Sequence, residues 1–174
     1  APVRASAPVI VPAPVEDDKD LAAAIAAALA LRLQETEQAP APAPVPFDAS
    51  PSGFERWVAA ISAMPSVQRQ REVDARIDAT LTTPLVDRER AVFFWRGEAT
   101  TVQWIGDANQ WQRDRAPKLS HVPGTDLWWT AQALPYEARL DYKFLLDGET
   151  WILDPRCLRT VRGGYGENSE VRMP

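Results

Sequence analysis

The sequence is poor in the residues on which most catalytic and metal sites depend. It contains one histidine, His121, and one cysteine, Cys157. A disulfide framework requires paired cysteines and a structural zinc site usually requires four His or Cys ligands, so both are excluded. The chain also has no G-x-S-x-G motif, the strained turn that presents the nucleophilic serine of an α/β hydrolase. We therefore predict no catalytic residue, no metal site and no cofactor in this chain.

The other residues that could suggest catalysis have simpler interpretations. His121 stands in "KLSHVPG", a predicted turn between strands, and we expect it to face solvent. Asp147, Glu149 and Asp154 resemble paired carboxylates, but they lie at a predicted hairpin turn and at a strand end. Carboxylates at such positions bond nearby backbone amides, so we interpret all three as turn formers.

Positive charge and long apolar runs are scarce as well. Residues 87–174 carry twelve basic and thirteen acidic side chains, and the whole chain has a formal net charge of −5. Because no basic field is available to neutralise phosphates, nucleic acid is excluded as a partner. The uncharged run "LAAAIAAALAL" (21–31) is too short to cross a bilayer and follows an acidic segment, unlike a signal peptide. The sequence starts at Ala1 without methionine, as after removal of a leader, so cytoplasmic and exported (periplasmic) locations both stay open.

Glycine is absent before Gly53, whereas eight of the sixteen prolines fall within the first 46 residues. The Ala-Pro tracts at 1–15 and 39–47 favour extended conformations and act as semi-stiff spacers. Between them, residues 16–38 are alanine-rich and begin with acidic residues, which predicts a helix over about 17–37. Its thin apolar stripe consists of Leu21, Ile25, Leu29 and Leu33. We predict an arm over 1–48 whose helix is either a tethered docking element or a spacer without a partner.

A helical hairpin is predicted for residues 49–86. The segment 49–64 offers serines for capping and has an apolar face, and Pro65 suits the first position of a second helix over 65–81. The apolar face of the first helix consists of Phe54, Trp57, Val58 and Ile61. That of the second consists of Val73, Ile77 and Leu81.

From residue 88 onward, the apolar period changes from helical to two. Six of the seven tryptophans lie between Trp95 and Trp151, and we expect most of them to pack in a core. Strands are predicted at 90–97, 100–107, 126–134, 139–148 and 150–155, with a possible edge strand at 169–174. Because no helices separate these short strands, they predict a β-sandwich over residues 87–174.

Three stretches of this region resemble a known family. They are "VFFWRGEATTVQWIGDANQW" (92–111), "LPYEARLDYKFLLDGETWILDP" (134–155) and "GGYGENSEVRMP" (163–174). They are similar to the early-set, immunoglobulin-like domain that includes the family-48 carbohydrate-binding modules, which occur in glycogen-branching enzymes. The more specific resemblance is to the N-terminal domain of enterochelin-esterase-like and feruloyl-esterase-like hydrolases, over roughly residues 50–174. The fold class implied is an immunoglobulin-like (early-set) β-sandwich, mainly β, preceded by the helical hairpin and the Ala/Pro-rich arm.

The resemblance also implies a carbohydrate-binding face. The tryptophan that ends the "G-x-x-N-x-W" turn of glycogen-binding relatives stacks on a sugar ring, and its counterpart here is Trp111. Lys143 matches a lysine that reaches sugar hydroxyls, and Trp151 matches a second stacking aromatic. Tyr165 and Asn168 match an apolar contact and a hydrogen-bonding amide. Such a set suits a pyranose, which presents C–H groups on its face and hydroxyls at its edge.

The sequence departs from those modules after the turn, where Arg113, Asp114 and Arg115 introduce charge. We therefore keep several functions open. The first is a non-catalytic, carbohydrate-binding-like accessory domain, similar to the N-terminal domain of esterase-type hydrolases. It would bind a polysaccharide or an oligosaccharide weakly, pack on a catalytic domain, or do both. The second is an interaction or scaffold module that uses helix 16–38 or the Trp111 face to contact an α/β-hydrolase domain or another protein. The third is the N-terminal part of an ester hydrolase whose catalytic domain lies beyond residue 174.

Overall fold

The computed structural model describes residues 22–31, 47–77 and 81–174. The chain divides into two compact units, residues 1–43 and residues 44–174. In the first unit, residues 22–31 form helix α1, whose side chains are exposed, Ile25 and Leu29 among them. The rest of the helix predicted over 17–37 lies outside the described residues.

The second unit begins with a helical hairpin, as predicted. Helix α2 spans Pro51–Ser62, and the Ser50 hydroxyl caps it by accepting a hydrogen bond from the Gly53 amide at 3.0 Å. Helix α3 spans Ser66–Arg76 and follows Pro65, which lies at the N-cap, one position before the first helical residue.

Within residues 81–174, nine strands form two antiparallel sheets, which confirms the predicted β-sandwich preceded by helices. Sheet A has the order β1-β2-β5-β4 and sheet B has the order β3-β6-β9-β8, with β7 paired to the end of β6. The strands of sheet A are β1 (Leu85–Val86), β2 (Arg90–Arg96), β4 (Ser120–His121) and β5 (Leu127–Ala133). Those of sheet B are β3 (Val102–Gly106), β6 (Arg139–Leu146), β7 (Thr150–Ile152), β8 (Thr160–Gly163) and β9 (Gly166–Arg172). A short 3-10 helix over Asp107–Asn109 follows β3.

The main core lies between the two sheets and is rich in aromatic side chains. Phe93 packs against Trp104 and Tyr142, with ring centroids 4.7 and 4.9 Å apart, and all three rings are buried. Trp95 and Trp128 belong to the same cluster. The prediction that most tryptophans serve as core residues therefore holds for these positions.

The outer face of sheet A packs against the helical hairpin. Because neighbouring side chains on a strand point to opposite faces, Phe94 faces the helices while Phe93 faces the sandwich interior. The Phe54 ring of α2 stacks on Phe94 at 5.2 Å. Trp57 and Val73 are buried in the same cluster. Helices α2 and α3 therefore share one hydrophobic core with sheet A.

A polar cluster also fixes α3 to sheet A. Arg96 on β2 makes two hydrogen bonds of 3.0 Å with the Asp126 carboxylate, and it also contacts Asp74 on α3. The Gln70 amide donates to both carboxylates, at 2.9 Å to Asp74 and 3.1 Å to Asp126. Burial alone would raise the pKa of Asp126, but hydrogen bonds from Arg96 and Gln70 hold that pKa below its ordinary value.

The strand pattern differs from the predictions in its details. The predicted edge strand at 169–174 overlaps β9 at residues 169–172, and β9 lies between β6 and β8 and is therefore an interior strand. His121 is exposed as expected, but it lies in β4 rather than in a turn, and its ring stacks on Trp128 at 4.5 Å. The boundary predicted at residue 87 stays a prediction, and β1 at Leu85–Val86 already pairs with β2.

Candidate functional site

A concave region on the outer face of sheet B encloses a cavity of about 800 Å³. All five residues predicted from the resemblance line it, namely Trp111, Lys143, Trp151, Tyr165 and Asn168. The other residues that line it are Asp107, Asp141, Gly163 and Gly164. Residues from three separate stretches of sequence thus meet at one surface.

Strand alternation brings the central residues of this face together. On β6, Asp141, Lys143 and Leu145 point to the outer face, whereas Tyr142 lies in the core between the sheets. Trp151 on β7 pairs with Leu145 and therefore stands on the same outer face.

The turn before Trp111 is closed by Asn109. The buried Asn109 side chain accepts a hydrogen bond from the Gly106 amide at 3.0 Å and donates to the Trp104 carbonyl at 3.1 Å. Gly106 is required for a close approach of β3 to β6, because a Cβ there would lie 2.1 Å from the Asp141 carbonyl oxygen. The glycine and the asparagine of the "G-x-x-N-x-W" motif thus shape the turn that carries the tryptophan.

Trp111 itself has a fixed position. Its backbone is left-handed, with φ at 57°, and its amide donates to the Gly106 carbonyl at 2.8 Å. The indole Nε1 donates to Asp107 Oδ1 at 2.8 Å, and Asp107 Oδ2 accepts the Asp141 amide at 2.8 Å. The ring packs against a small apolar cluster of Ile105, Ala116 and Leu145. One carboxylate therefore links the tryptophan to β6, and the half-buried ring forms a wall of the cavity.

Trp151 forms a second aromatic surface beside the first. The ring centroids of Trp111 and Trp151 are 6.4 Å apart, the planes are inclined by 37°, and 37 % of Trp151 is exposed. The guanidinium carbon of Arg113 lies 5.6 Å from the Trp151 ring centroid, and Arg113 Nη1 donates to the Gly148 carbonyl at 2.8 Å.

The opposite end of the face comes from β9 and the turn before it. Asn168 is 8 % exposed, and its Nδ2 donates to Asp141 Oδ2 at 3.0 Å. A Cβ on Gly163 would lie 2.4 Å from that nitrogen, so glycine leaves the space that the amide occupies. Tyr165 is fully exposed in the turn between β8 and β9.

A buried carboxylate supports the face from beneath. Asp154 is 3 % exposed and accepts a hydrogen bond from the Tyr142 hydroxyl at 2.7 Å and another from the Arg156 amide at 2.9 Å. Its own amide donates to Ser169 Oγ at 2.9 Å. Burial raises the pKa of Asp154 to about 6, and the hydrogen bonds offset only part of this effect. Asp154 therefore joins β6 and β9 from the core side, which is more than the turn role that its sequence position predicted.

The chemistry of this face suits a polar ligand that has an apolar side. Two indole rings offer stacking surfaces, the carboxylates of Asp107 and Asp141 accept hydrogen bonds, and the Lys143 ammonium donates them. Asp107 and Asp141 were not predicted, although the i, i+2 spacing of Asp141 and Lys143 on a strand places them on one face. Within the described ranges there is no group of three His, Cys, Asp or Glu residues that could hold a metal. No helix in the same ranges is long and apolar enough to span a membrane.

The fold and this face together define a β-sandwich with an aromatic-lined cavity on its second sheet. Residues 90–166 match the family described as the N-terminal domain of enterochelin esterase. This match confirms the predicted resemblance to the N-terminal domain of enterochelin-esterase-like hydrolases.

Two curated relatives match shorter parts of the chain. The malto-oligosyltrehalose trehalohydrolase of Brevibacterium helvolum is 30% identical over 81 residues, which is 46% of this chain and 13% of that enzyme. The enzyme of the same name from Rhizobium sp. (strain M-11) is 37% identical over 70 residues, which is 40% of this chain and 11% of the enzyme. The chain thus spans only a small part of the length of these relatives.

Solved structures of enterobactin esterases are also similar. The ferric enterobactin esterase of Salmonella typhimurium matches with a TM-score of 0.46 and 21% identity, over 59% of this chain and 36% of the esterase chain. The Shigella flexneri enzyme matches with a TM-score of 0.42 and 18% identity, over 51% of this chain and 31% of the esterase chain.

Proposed function

We propose that this chain is a non-catalytic accessory domain that binds carbohydrate through the outer face of sheet B. The observation that carries the proposal is the convergence of five residues on one cavity, with two indole rings 6.4 Å apart. These residues come from three separate stretches of the sequence, and the resemblance to glycogen-binding modules implies a sugar contact for each of them.

Binding would combine stacking with hydrogen bonds at the sugar edge. Trp111 and Trp151 would contact the C–H faces of pyranose rings, each for about 1–3 kcal/mol by analogy with base–aromatic stacking. Lys143 would donate to hydroxyl oxygens, and the carboxylates of Asp107 and Asp141 would accept from hydroxyl groups. Two platforms of this strength imply weak binding, roughly micromolar to millimolar.

The comparisons lend this proposal partial support. Both curated relatives are, by name, hydrolases of a malto-oligosyl sugar. The matched segments form a small part of those enzymes. The identity of the glycan that this chain would bind is therefore also a proposal.

A second candidate function is contact with a catalytic domain. The family match is to an N-terminal domain of an esterase, and such a domain has a neighbour in its own chain. A longer parent would then be an ester hydrolase, and the fully exposed Tyr165 ring would suit a protein contact as well as a sugar. In a related alternative, the helix predicted within residues 16–38 recruits a partner, and the exposed Ile25 and Leu29 side chains of α1 are compatible with that role.

Affinity electrophoresis separates the two functions. The full chain and its Trp111→Ala variant would be run in native gels cast with glycogen, starch, xylan or arabinoxylan. Tyr136→Ala is the matched control, because Tyr136 is an exposed aromatic residue that does not line the cavity. Retardation by one polysaccharide that is lost only in Trp111→Ala would support carbohydrate binding. If a folded wild-type chain is not retarded in any gel, the carbohydrate proposal is wrong and a protein contact becomes the better explanation.

A further inference from the structure

Arg113 contacts the candidate site without lining it. Its guanidinium lies over the Trp151 ring, with the carbon atom 5.6 Å from the ring centroid. Trp151 lines the cavity, whereas Arg113 is not among the lining residues. In the sequence, this charge is a departure from the carbohydrate-binding modules.

Two anchors hold Arg113 in this position. Its Nη1 donates to the Gly148 carbonyl at 2.8 Å, in the turn between β6 and β7. Its own carbonyl accepts a hydrogen bond from Gln103 Nε2 on β3 at 2.9 Å. The backbone and the guanidinium of Arg113 are therefore both attached to sheet B. The side chain reaches from the loop after Trp111 to the β6–β7 hairpin, which carries Trp151.

Trp151 needs such support because its own strand is short. It is the central residue of the three-residue β7, which pairs with β6 on one side. The indole is partly exposed, and an indole that rotates in the free protein must be ordered when a ligand binds. The planar guanidinium of Arg113 lies over the ring and is itself fixed by the Gly148 carbonyl, so it restricts that rotation before the ligand binds.

We propose that Arg113 is a positioning residue for ligand binding, and that it acts by holding the Trp151 ring rather than by touching the ligand. The proposal rests on the carbohydrate-binding function proposed above. It also explains why a charged segment directly after Trp111 is compatible with a sugar-binding face.

A double-mutant cycle tests whether Arg113 acts through Trp151. Dissociation constants for the retarding polysaccharide would be taken from gel mobility for the wild type, Arg113→Ala, Trp151→Ala and the double variant. We expect Arg113→Ala to weaken binding roughly two- to fivefold, the range for an exposed cation–π contact. In the Trp151→Ala background, the same substitution should have no effect. An equal loss in both backgrounds, or no loss in the wild type, would overturn the proposal.

Arg115→Ala provides the matched control. Arg115 lies in the same loop, is exposed and carries the same charge, but its Nη1 donates to Gln110 Oε1 at 3.1 Å. If the arginines act only through their positive charge, Arg115→Ala should weaken polysaccharide binding as much as Arg113→Ala does. That result would contradict the proposal. Arg113→Lys keeps a cation but loses the planar fork, and it should recover part of the binding.

A readout without ligand keeps this proposal separate from the carbohydrate function. The indole N–H resonance of Trp151, identified by its loss in Trp151→Phe, would be recorded for each arginine variant by NMR. It should shift or broaden in Arg113→Ala and stay unchanged in Arg115→Ala. If no polysaccharide binds but this resonance responds, the carbohydrate function fails while the positioning of Trp151 by Arg113 stands. If the resonance does not respond, Arg113 does not position Trp151.

Discussion

The burial of Asp154 predicts that the stability of the domain depends on pH. The pKa of its carboxyl is about 6 in the folded chain, against an ordinary value of 3.8, because the group is buried. A folded-state pKa above the unfolded one means that the folded chain binds more protons, so stability falls as pH rises through this window. The full effect is about 3 kcal/mol between a pH below 3.8 and a pH well above 6.

Urea denaturation of the wild type and Asp154→Asn at about pH 5 and about pH 7.5 measures this effect. The asparagine cannot titrate, but it keeps a side-chain oxygen for the Arg156 amide. We subtract the free energy of unfolding of the variant from that of the wild type at each pH. This difference should be about 1.4 kcal/mol greater at about pH 5 than at about pH 7.5. Other carboxylates titrate equally in both proteins and cancel in the difference. A difference between the two proteins that is independent of pH would refute the burial argument for Asp154.

Two further predictions concern the walls of the candidate site. Asp107→Ala removes the acceptor of the Trp111 indole, so we expect a loss of about 1 kcal/mol in the free energy of unfolding and a more mobile Trp111 indole resonance by NMR. Gly163→Ala places a Cβ 2.4 Å from Asn168 Nδ2 and should displace that amide, at a cost of about 1–2 kcal/mol in thermal or urea unfolding. Gly164→Ala is the control, because a Cβ there meets nothing within 4 Å. Equal unfolding midpoints for Gly163→Ala and Gly164→Ala would contradict the role of Gly163. An unchanged Trp111 indole resonance in Asp107→Ala would contradict the role of Asp107.

The fold was predictable from the sequence where the apolar pattern is long. The strands β2, β5 and β6 each span seven or eight residues with aromatic or β-branched side chains, and all three were predicted close to their observed limits. The two-residue strands β1 and β4 were not predicted, because two residues cannot show a period. The position of β9 inside sheet B was also missed, since pairing between distant strands leaves no local signal in the sequence.

The candidate site was predictable only in part. Trp111 and Trp151 came from a family resemblance, and strand alternation would have added Asp141 beside Lys143. Asp107 could not be predicted, because its role depends on the turn that brings its carboxylate to the indole and to the β6 backbone at once. The same holds for Asp154, whose contacts with Tyr142 on β6 and Ser169 on β9 exist only in the folded sheet.

The domain limits stay a prediction. Residues 1–48 were predicted as an arm, 49–86 as a helical hairpin and 87–174 as the sandwich. Phe54 of α2 and Phe94 of β2 lie in one buried cluster, so removal of the hairpin would expose the outer face of sheet A.

The most direct test of the account is an NMR titration of the full chain with a malto-oligosaccharide and, separately, a xylo-oligosaccharide. We expect one of them to shift the indole N–H resonances of Trp111 and Trp151 together with the backbone amide resonance of Asn168. The indole resonance of the buried Trp104 should not move, since it lies between the sheets. Shifts confined to other surfaces would contradict the assignment of this face as the binding site. The same conclusion would follow if a polysaccharide retards the chain in gels but its oligosaccharides shift none of these resonances.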